Sequence, residues 1–285
     1  MERAPGFQPT RFLAAVSDPS EAKAGIVGLP YDFTSSYRSG SADGPDALRR
    51  ASFALETYDP MFDADLEDLE LTDFGDASME AHNPTSALQE MRTALLDLPT
   101  ELPLLGFGGE HTVTQILVER ASKQYPDIAY IVFDAHADLR DDYMGTPYSH
   151  ACVNRRVMDQ LGPSRMAMFG IRSGTAEEWR LMQQHNLLHP LNAKALNSVL
   201  KRFQGRPVYL SFDMDGFDPA EAPGTGVVEP GGYRWRELAP LLHAMRGADI
   251  VGADIVELAP AWDPTGRSEI LAARLARALL LLLAP

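Results

Sequence analysis

Residues 128–138 read Ile-Ala-Tyr-Ile-Val-Phe-Asp-Ala-His-Ala-Asp. The run IAYIVF carries no charge and predicts a strand buried on both faces, as in a parallel sheet covered by helices on each side. It ends abruptly at Asp134, His136 and Asp138. In extended chain, residues i, i+2 and i+4 point the same way, so these three side chains could converge beyond the strand's carboxyl end. Open parallel sheets bind their ligands there. Three ionisable groups grouped directly after such a strand are costly to bury without a cation or other partners. The plainer alternative is a polar loop whose carboxylates face water or cap the next helix.

The same alternation extends in both directions. Residues 24–29 (AGIVGL), 102–106, 165–171, 208–212 and 250–256 are further strand candidates. Residues 45–54 (PDALRRASFA) have helical spacing with proline in the first turn, a second helix begins near Thr112, and residues 268–283 form a closing helix. Buried strands separated by helices indicate an α/β fold with a mainly parallel sheet. No linker or composition break divides the chain, so residues 1–285 are expected to form a single domain. The acidic stretch 59–76 is expected to be a solvated connection.

The pattern that ends the strand at Phe133 recurs. In residues 208–215 (VYLSFDMD) Asp213 and Asp215 again follow an apolar run, and a rigid glycine-rich loop, APGTG, occupies 222–226. A third candidate is His111 in GGEH (108–111), after LPLLG. Alone, each has a plain reading as a turn or helix-start residue. Together, His111, Asp134, His136, Asp138, Asp213 and Asp215 fall at strand ends on one sheet edge. Two imidazoles and four carboxylates suit hard or borderline divalent cations such as Mn²⁺. Six ligands exceed the need of one tetrahedral ion and suit two ions about 3.5–4 Å apart, as in two-metal hydrolases.

Composition narrows the function classes. The 285 residues include 25 Lys plus Arg against 40 Asp plus Glu, a net charge of −15, which argues against non-specific nucleic-acid binding and suits a cationic small molecule or metal ions. The one cysteine, Cys152, excludes an intrachain disulfide and a thiolate-rich zinc site. Residues 1–5 lead into no signal-like apolar core, and the apolar tail 278–284 is far shorter than the ~20 residues of a spanning helix. A cytoplasmic protein without membrane or nucleic-acid partners is expected.

In this order, GGEH, DAHAD and SFDMDGFDPAEAPGTG resemble the motifs of the ureohydrolase family, which holds the arginases, agmatinases and relatives, and are nearest to its bacterial agmatinase branch. The likeness continues through Gly28-Leu29-Pro30-Tyr31-Asp32, the segment 36–40, Phe169-Gly170-Ile171-Arg172-Ser173-Gly174 and the strand leading to Glu257. The resemblance implies a three-layer αβα sandwich, the arginase-like ureohydrolase fold. It also implies a dimanganese centre, two Mn²⁺ per subunit, that hydrolyses a guanidino group. By motif, His111, Asp134, Asp138 and Asp213 hold one ion. His136, Asp134, Asp213 and Asp215 hold the other, so Asp134 and Asp213 bridge.

Asp138 also orients the attacking water, His150 shuttles a proton to the leaving amine and contacts substrate, and Glu257 pairs with the guanidinium. The implied reaction is agmatine plus water giving putrescine and urea. Guanidinobutyrate, N1-aminopropylagmatine and arginine are alternative substrates, and a catalytically silent metal-binding regulator is the alternative of another class. The family also implies a homotrimer or homohexamer, and residues 279–283 would be compatible with a subunit contact. Two features depart from the family pattern. Ala151-Cys152 follows the shuttle histidine, which makes a Cys/His nucleophile a minor alternative. Ser39 to Asp43 differ in a loop that could contact the substrate's tail.

Overall fold

Side chains that alternate in direction along fully buried central strands build two apolar layers on opposite sides of one sheet. In a computed structural model that describes Phe7, Gln8 and residues 11–284, the strands are β1 (Phe7–Gln8), β2 (Ala24–Leu29), β3 (Tyr58–Asp59), β4 (Ala64–Asp65), β5 (Leu71–Ala77), β6 (Leu104–Gly108), β7 (Ala129–Phe133), β8 (Met166–Phe169), β9 (Leu188–His189), β10 (Val208–Asp213) and β11 (Ile250–Val256). The helices are α1 (Gly44–Ser52), α2 (Pro84–Leu96), α3 (Thr114–Gln124), α4 (Val153–Leu161), α5 (Ala176–His185), α6 (Ala193–Arg202), α7 (Trp235–Ala244) and α8 (Arg267–Leu283). Residues 1–5, read above for a signal segment, lie outside the described residues.

The main sheet runs β1-β5-β2-β6-β11-β10-β7-β8-β9, and only the β1–β5 pair is antiparallel; β3 and β4 form a separate small hairpin. Ile131, Phe133, Leu210, Phe212 and Ile255 point into one layer, with α1, α6, α7 and α8. Tyr130, Val132, Tyr209 and Val256 point into the other, with α2, α3, α4 and α5. Helix starts follow ordinary capping chemistry: Asn83 accepts from Ser86 N–H at 3.0 Å before Pro84, and Thr175 and Glu178 form a reciprocal capping box. The layering is the three-layer α/β arrangement expected from the sequence.

The acidic stretch is a solvated connection only in part: Asp63, Glu67, Asp68 and Glu70 are exposed, but its two ends are largely buried. It contains β5, which sits inside the sheet between β1 and β2. Its carboxylates have partners distant in sequence. The buried Arg49 guanidinium donates to both oxygens of Asp73, at 2.8 and 2.9 Å, and also pairs with Asp76. Asp59, also buried, accepts from Arg277 at 3.1 and 2.9 Å. Three carboxylates of the stretch, Asp59, Asp73 and Asp76, are thus matched by two buried arginines.

A second correction concerns the leucine-rich end. Leu279 to Leu283 are all buried within the chain, against β6, β11, α1 and α7, so they leave no exposed face for a subunit. No helix among the described residues is long and apolar enough to cross a membrane.

Candidate metal centre

The strand order explains how residues far apart in sequence meet. From β6 the chain crosses two strand positions before laying down β7, then continues outward to β9. It returns to fill the gap with β10 and then β11, so β6, β11, β10 and β7 end side by side. Their carboxyl ends deliver His111, then Glu257, then Asp213 and Asp215, then Asp134, His136 and Asp138. This reversal of strand order is where open α/β sheets form binding crevices.

Gly109 permits the first of these turns. A Cβ there would lie 2.0 Å from the Tyr31 carbonyl oxygen, whereas glycine lets Gly109 N–H reach Leu29 O at 2.9 Å and Glu110 N–H reach Tyr31 O at 2.7 Å. His111 is thereby fixed with Nδ1 facing three carboxylates, Asp134 Oδ2 at 3.2 Å and Asp138 Oδ2 and Asp213 Oδ2 at 3.3 Å. The second imidazole, His136, faces Asp215 Oδ2 at 2.9 Å and Asp134 Oδ1 at 3.9 Å through Nδ1. Asp134 therefore turns one oxygen to each histidine. Two groups have donor atoms close enough to share an ion: His111 with Asp134 and Asp213, and Asp134 with His136 and Asp215.

The extended-chain expectation holds as far as His136, which still pairs with Ser173 as an isolated bridge. Asp138 has a φ of 50° and turns back toward His111, its carbonyl held by Arg155 N–H at 3.1 Å. Glu257 is likewise left-handed, with a φ of 63°. Such backbone costs about 1–3 kcal/mol per non-glycine residue and persists where the surroundings over-determine it. Asp213 is only half as expected. Its Oδ2 faces His111, but its Oδ1 accepts from Asp215 N–H at 2.8 Å.

These side chains conflict electrostatically unless a cation joins them. Burial, with the Asp138 charge adding to it, pushes the Asp134 carboxyl up to about 7. Burial and then Asp215 push Asp213 well above the carboxylate range. Burial also raises Asp215, but the His136 charge and hydrogen bond, together with hydrogen bonds from its other neighbours, bring it below the usual carboxylate value. Buried His111 Nδ1 and Asp134 Oδ2 have no hydrogen-bond partner. Orphaned buried donor and acceptor atoms are rare and costly. Hard oxygen and imidazole donors, aimed inward and unsatisfied, fit divalent cations.

The far side of His111 is held by Ser211, which opens the SFDMD motif, and by Asp254 and Tyr209, which stand outside the three motifs. His111 Nε2 lies 3.1 Å from Ser211 Oγ, and Ser211 Oγ donates to the fully buried Asp254 at 2.6 Å. Asp254 also accepts from Tyr209 Oη at 2.9 Å. This chain keeps the Nε2 proton outward and Nδ1 free for an ion, as outer hydrogen bonds do at metal-binding histidines. Arg172 plays a similar part for Asp215, donating to the carbonyls of Asp215 at 2.8 Å, Gly216 at 3.1 Å and Glu229 at 2.6 Å. The sequence signal was a lone polar residue within an apolar strand: Ser211 in VYLSFD and Asp254 in IVGADIV.

A cavity of about 300 Å³ opens beside these ligands, walled by His136, Asp138, Asp213, Asp215, His150 and Glu257 among others. Glu257 Oε1 accepts from His111 N–H at 2.7 Å. No Lys or Arg pairs with this nearly buried carboxylate among the described residues. Burial, then Glu110, pushes its carboxyl well above the ordinary range. His150 lines the same cavity. Its burial lowers its pKa against the pull of Asp138, and its ring meets Tyr143 edge-on at 5.8 Å. Cys152 is fully buried, with burial raising its thiol to about 11, and it points toward Thr146 O at 3.9 Å. A thiol held neutral in packing is no nucleophile.

A family model described as the arginase family matches residues 22–282. The agmatinase of Bacillus cereus is 42% identical over 268 residues, covering 92% of each chain. The agmatinase of Bacillus subtilis is 39% identical over 282 residues, covering 95% of each. Among solved structures, the agmatine ureohydrolase of Thermoplasma volcanium superposes with a TM-score of 0.83 at 32% identity, covering 96% of this chain and 94% of that one.

Proposed function

Because the chain belongs to the arginase family, we propose that the cavity beside the two ligand groups is where it hydrolyses agmatine to putrescine and urea. The observation that carries this reading is the pairing of an unsatisfied buried His–Asp cluster with an unpaired carboxylate, Glu257, across one small cavity. A guanidinium is planar, permanently charged and forked, and a carboxylate can match it with two hydrogen bonds.

His111, Asp134, Asp138 and Asp213 would hold one Mn²⁺, and His136, Asp134, Asp213 and Asp215 the other. When bound, two such cations make water acidic enough to act as a nucleophile near neutral pH. The rest falls to side chains. Glu257 binds the guanidinium and turns its carbon toward the ligand groups. Asp138 accepts a hydrogen bond from the attacking water. His150 gives its proton to the amine nitrogen as the carbon–nitrogen bond breaks. Burial lowers its pKa, so the ring is mostly neutral near pH 7 and first takes up the proton that the attacking water releases before passing one to the amine. A homotrimer or homohexamer would agree with the family, and light scattering on the purified protein tests it.

One observation favours a second substrate. Arg140 lies in the cavity wall, over the Tyr143 ring at 4.5 Å and 3.9 Å from Glu178. A cation there would suit the carboxylate tail of guanidinobutyrate. Urea release from agmatine, guanidinobutyrate, N1-aminopropylagmatine and arginine, with Mn²⁺ supplied, separates the readings. Agmatine should give the highest kcat/KM; preference for guanidinobutyrate would transfer the assignment to Arg140 and the anionic tail.

A further inference from the structure

Glu110 precedes the ligand His111 but points away from the ligand groups, into the loop after β2. Its Oε1 accepts from the backbone N–H groups of Thr34 and of Ser35, the latter at 2.8 Å. Its Oε2 accepts from the Thr34 hydroxyl and, at 3.4 Å, from the Thr112 hydroxyl. Each of its hydrogen-bond partners is a donor; burial, with Asp32 nearby, pushes the carboxyl up to about 7 against the pull of the Thr34 and Ser35 hydrogen bonds, and in its ionised form it accepts from all of them. A threonine hydroxyl has one proton and two lone pairs. With its proton given to Glu110, Thr34 Oγ1 can only accept from its other neighbours, and both belong to His150: the backbone N–H at 3.2 Å and ring Nδ1 at 3.2 Å.

We infer that Thr34, oriented by Glu110, is a positioning residue that holds His150 with its proton on Nδ1 and presents Nε2 to the substrate. This rests on His150 being the proton donor. Nε2 lies 3.4 Å from Ser36 Oγ, and both His150 and Ser36 line the cavity. In the protonated ring Nε2–H is then the proton that leaves: it passes to the amine nitrogen, which receives the electron pair of the breaking carbon–nitrogen bond. The imidazole is left neutral with Nδ1–H still bonded to Thr34. Ser149 Oγ, 3.4 Å from Nδ1, is a longer contact that can rotate to either role.

The test uses the metal-loaded enzyme with agmatine. Thr34→Val keeps the shape and removes the acceptor, and should lower kcat about tenfold, the size of one hydrogen bond to a charged ring, with KM and metal content unchanged. Thr34→Ser should restore kcat. In the His150→Asn background Thr34→Val should have no further effect on kcat, since residues acting as a unit are not additive. Histidine-selective ¹⁵N NMR of the wild type should show neutral His150 protonated at Nδ1, a readout that does not depend on any variant folding. Protonation at Nε2, or full kcat in Thr34→Val while His150→Asn is impaired, overturns the inference. Full kcat in His150→Asn would instead overturn the proton-donor reading on which it rests.

Discussion

Asp134 is the residue on which the centre turns, because its two oxygens face different histidines. Asp134→Asn removes charge from both ligand groups at once, and should abolish metal retention and urea release together. Metal analysis showing two full equivalents and normal turnover would refute the shared role. His150→Asn tests a different step: it should lower kcat by about 10²–10⁴, the usual contribution of a general acid, with metal content intact. Glu257→Gln keeps shape and loses charge. It should cost about 1.5–3 kcal/mol in kcat/KM while the metals stay bound, because Glu257 is in neither ligand group. At this scale much was legible beforehand. His111, Asp134, His136, Asp138, Asp213 and Asp215 stand in short motifs directly after apolar strands, where local alternation speaks clearly. Ser211 and Asp254 stand out as polar residues in apolar strands, but their roles and that of Thr34 were not legible, because each acts through a partner far off in sequence, as with Ser211 and Asp254 at a separation of 43. Only a fold brings such pairs together.

Among elements, β5 taught the most. Strands β7, β10 and β11 announce themselves by apolar runs, unbroken in β7 and interrupted within β10 and β11 by single buried polar residues, since both their faces are covered. LTDFGDA does not, and its two aspartates make it look solvated. The missing information is Arg49 on α1, whose buried guanidinium takes Asp73 through two nitrogens. Breaking a buried pair leaves an uncompensated charge and costs about 3–5 kcal/mol. Arg49→Met should therefore lower stability by that order in urea unfolding. Metal content of the surviving folded fraction should be unchanged, since β5 lies two strands from β6. The same reasoning reassigns Asp59. As part of a solvated run it would be a harmless site to alter, but paired with Arg277 it ties the β3–β4 hairpin to α8. Asp59→Asn should lower the unfolding midpoint; an unchanged midpoint would mean that the pair contributes nothing net.

For the whole molecule, the three-layer fold gathers the carboxylates of Asp134, Asp138, Asp213 and Asp215 at one sheet edge. The ligand carboxylates are mutually repulsive, and Asp134 is held near 7 by burial and by Asp138. Below that pH the raised group carries a proton, and a cation must displace it; above it the carboxylate is already ionised. Metal affinity should therefore fall as pH drops from about 8 to about 6, with proton release on binding. Calorimetric titrations in buffers of different ionisation enthalpy read this directly, and a pH-independent affinity with no protons released would contradict it.

Two cations held by these six side chains are proposed to carry out the hydrolysis of agmatine. The most direct measurement strips the protein of metal, adds Mn²⁺ back in steps, and follows urea and putrescine release from agmatine alongside bound metal. Activity should be absent at the start, rise as the second equivalent binds, and yield urea and putrescine in equal amounts. Full activity in metal-free protein, or saturation of both equivalents with no urea formed, would contradict the account.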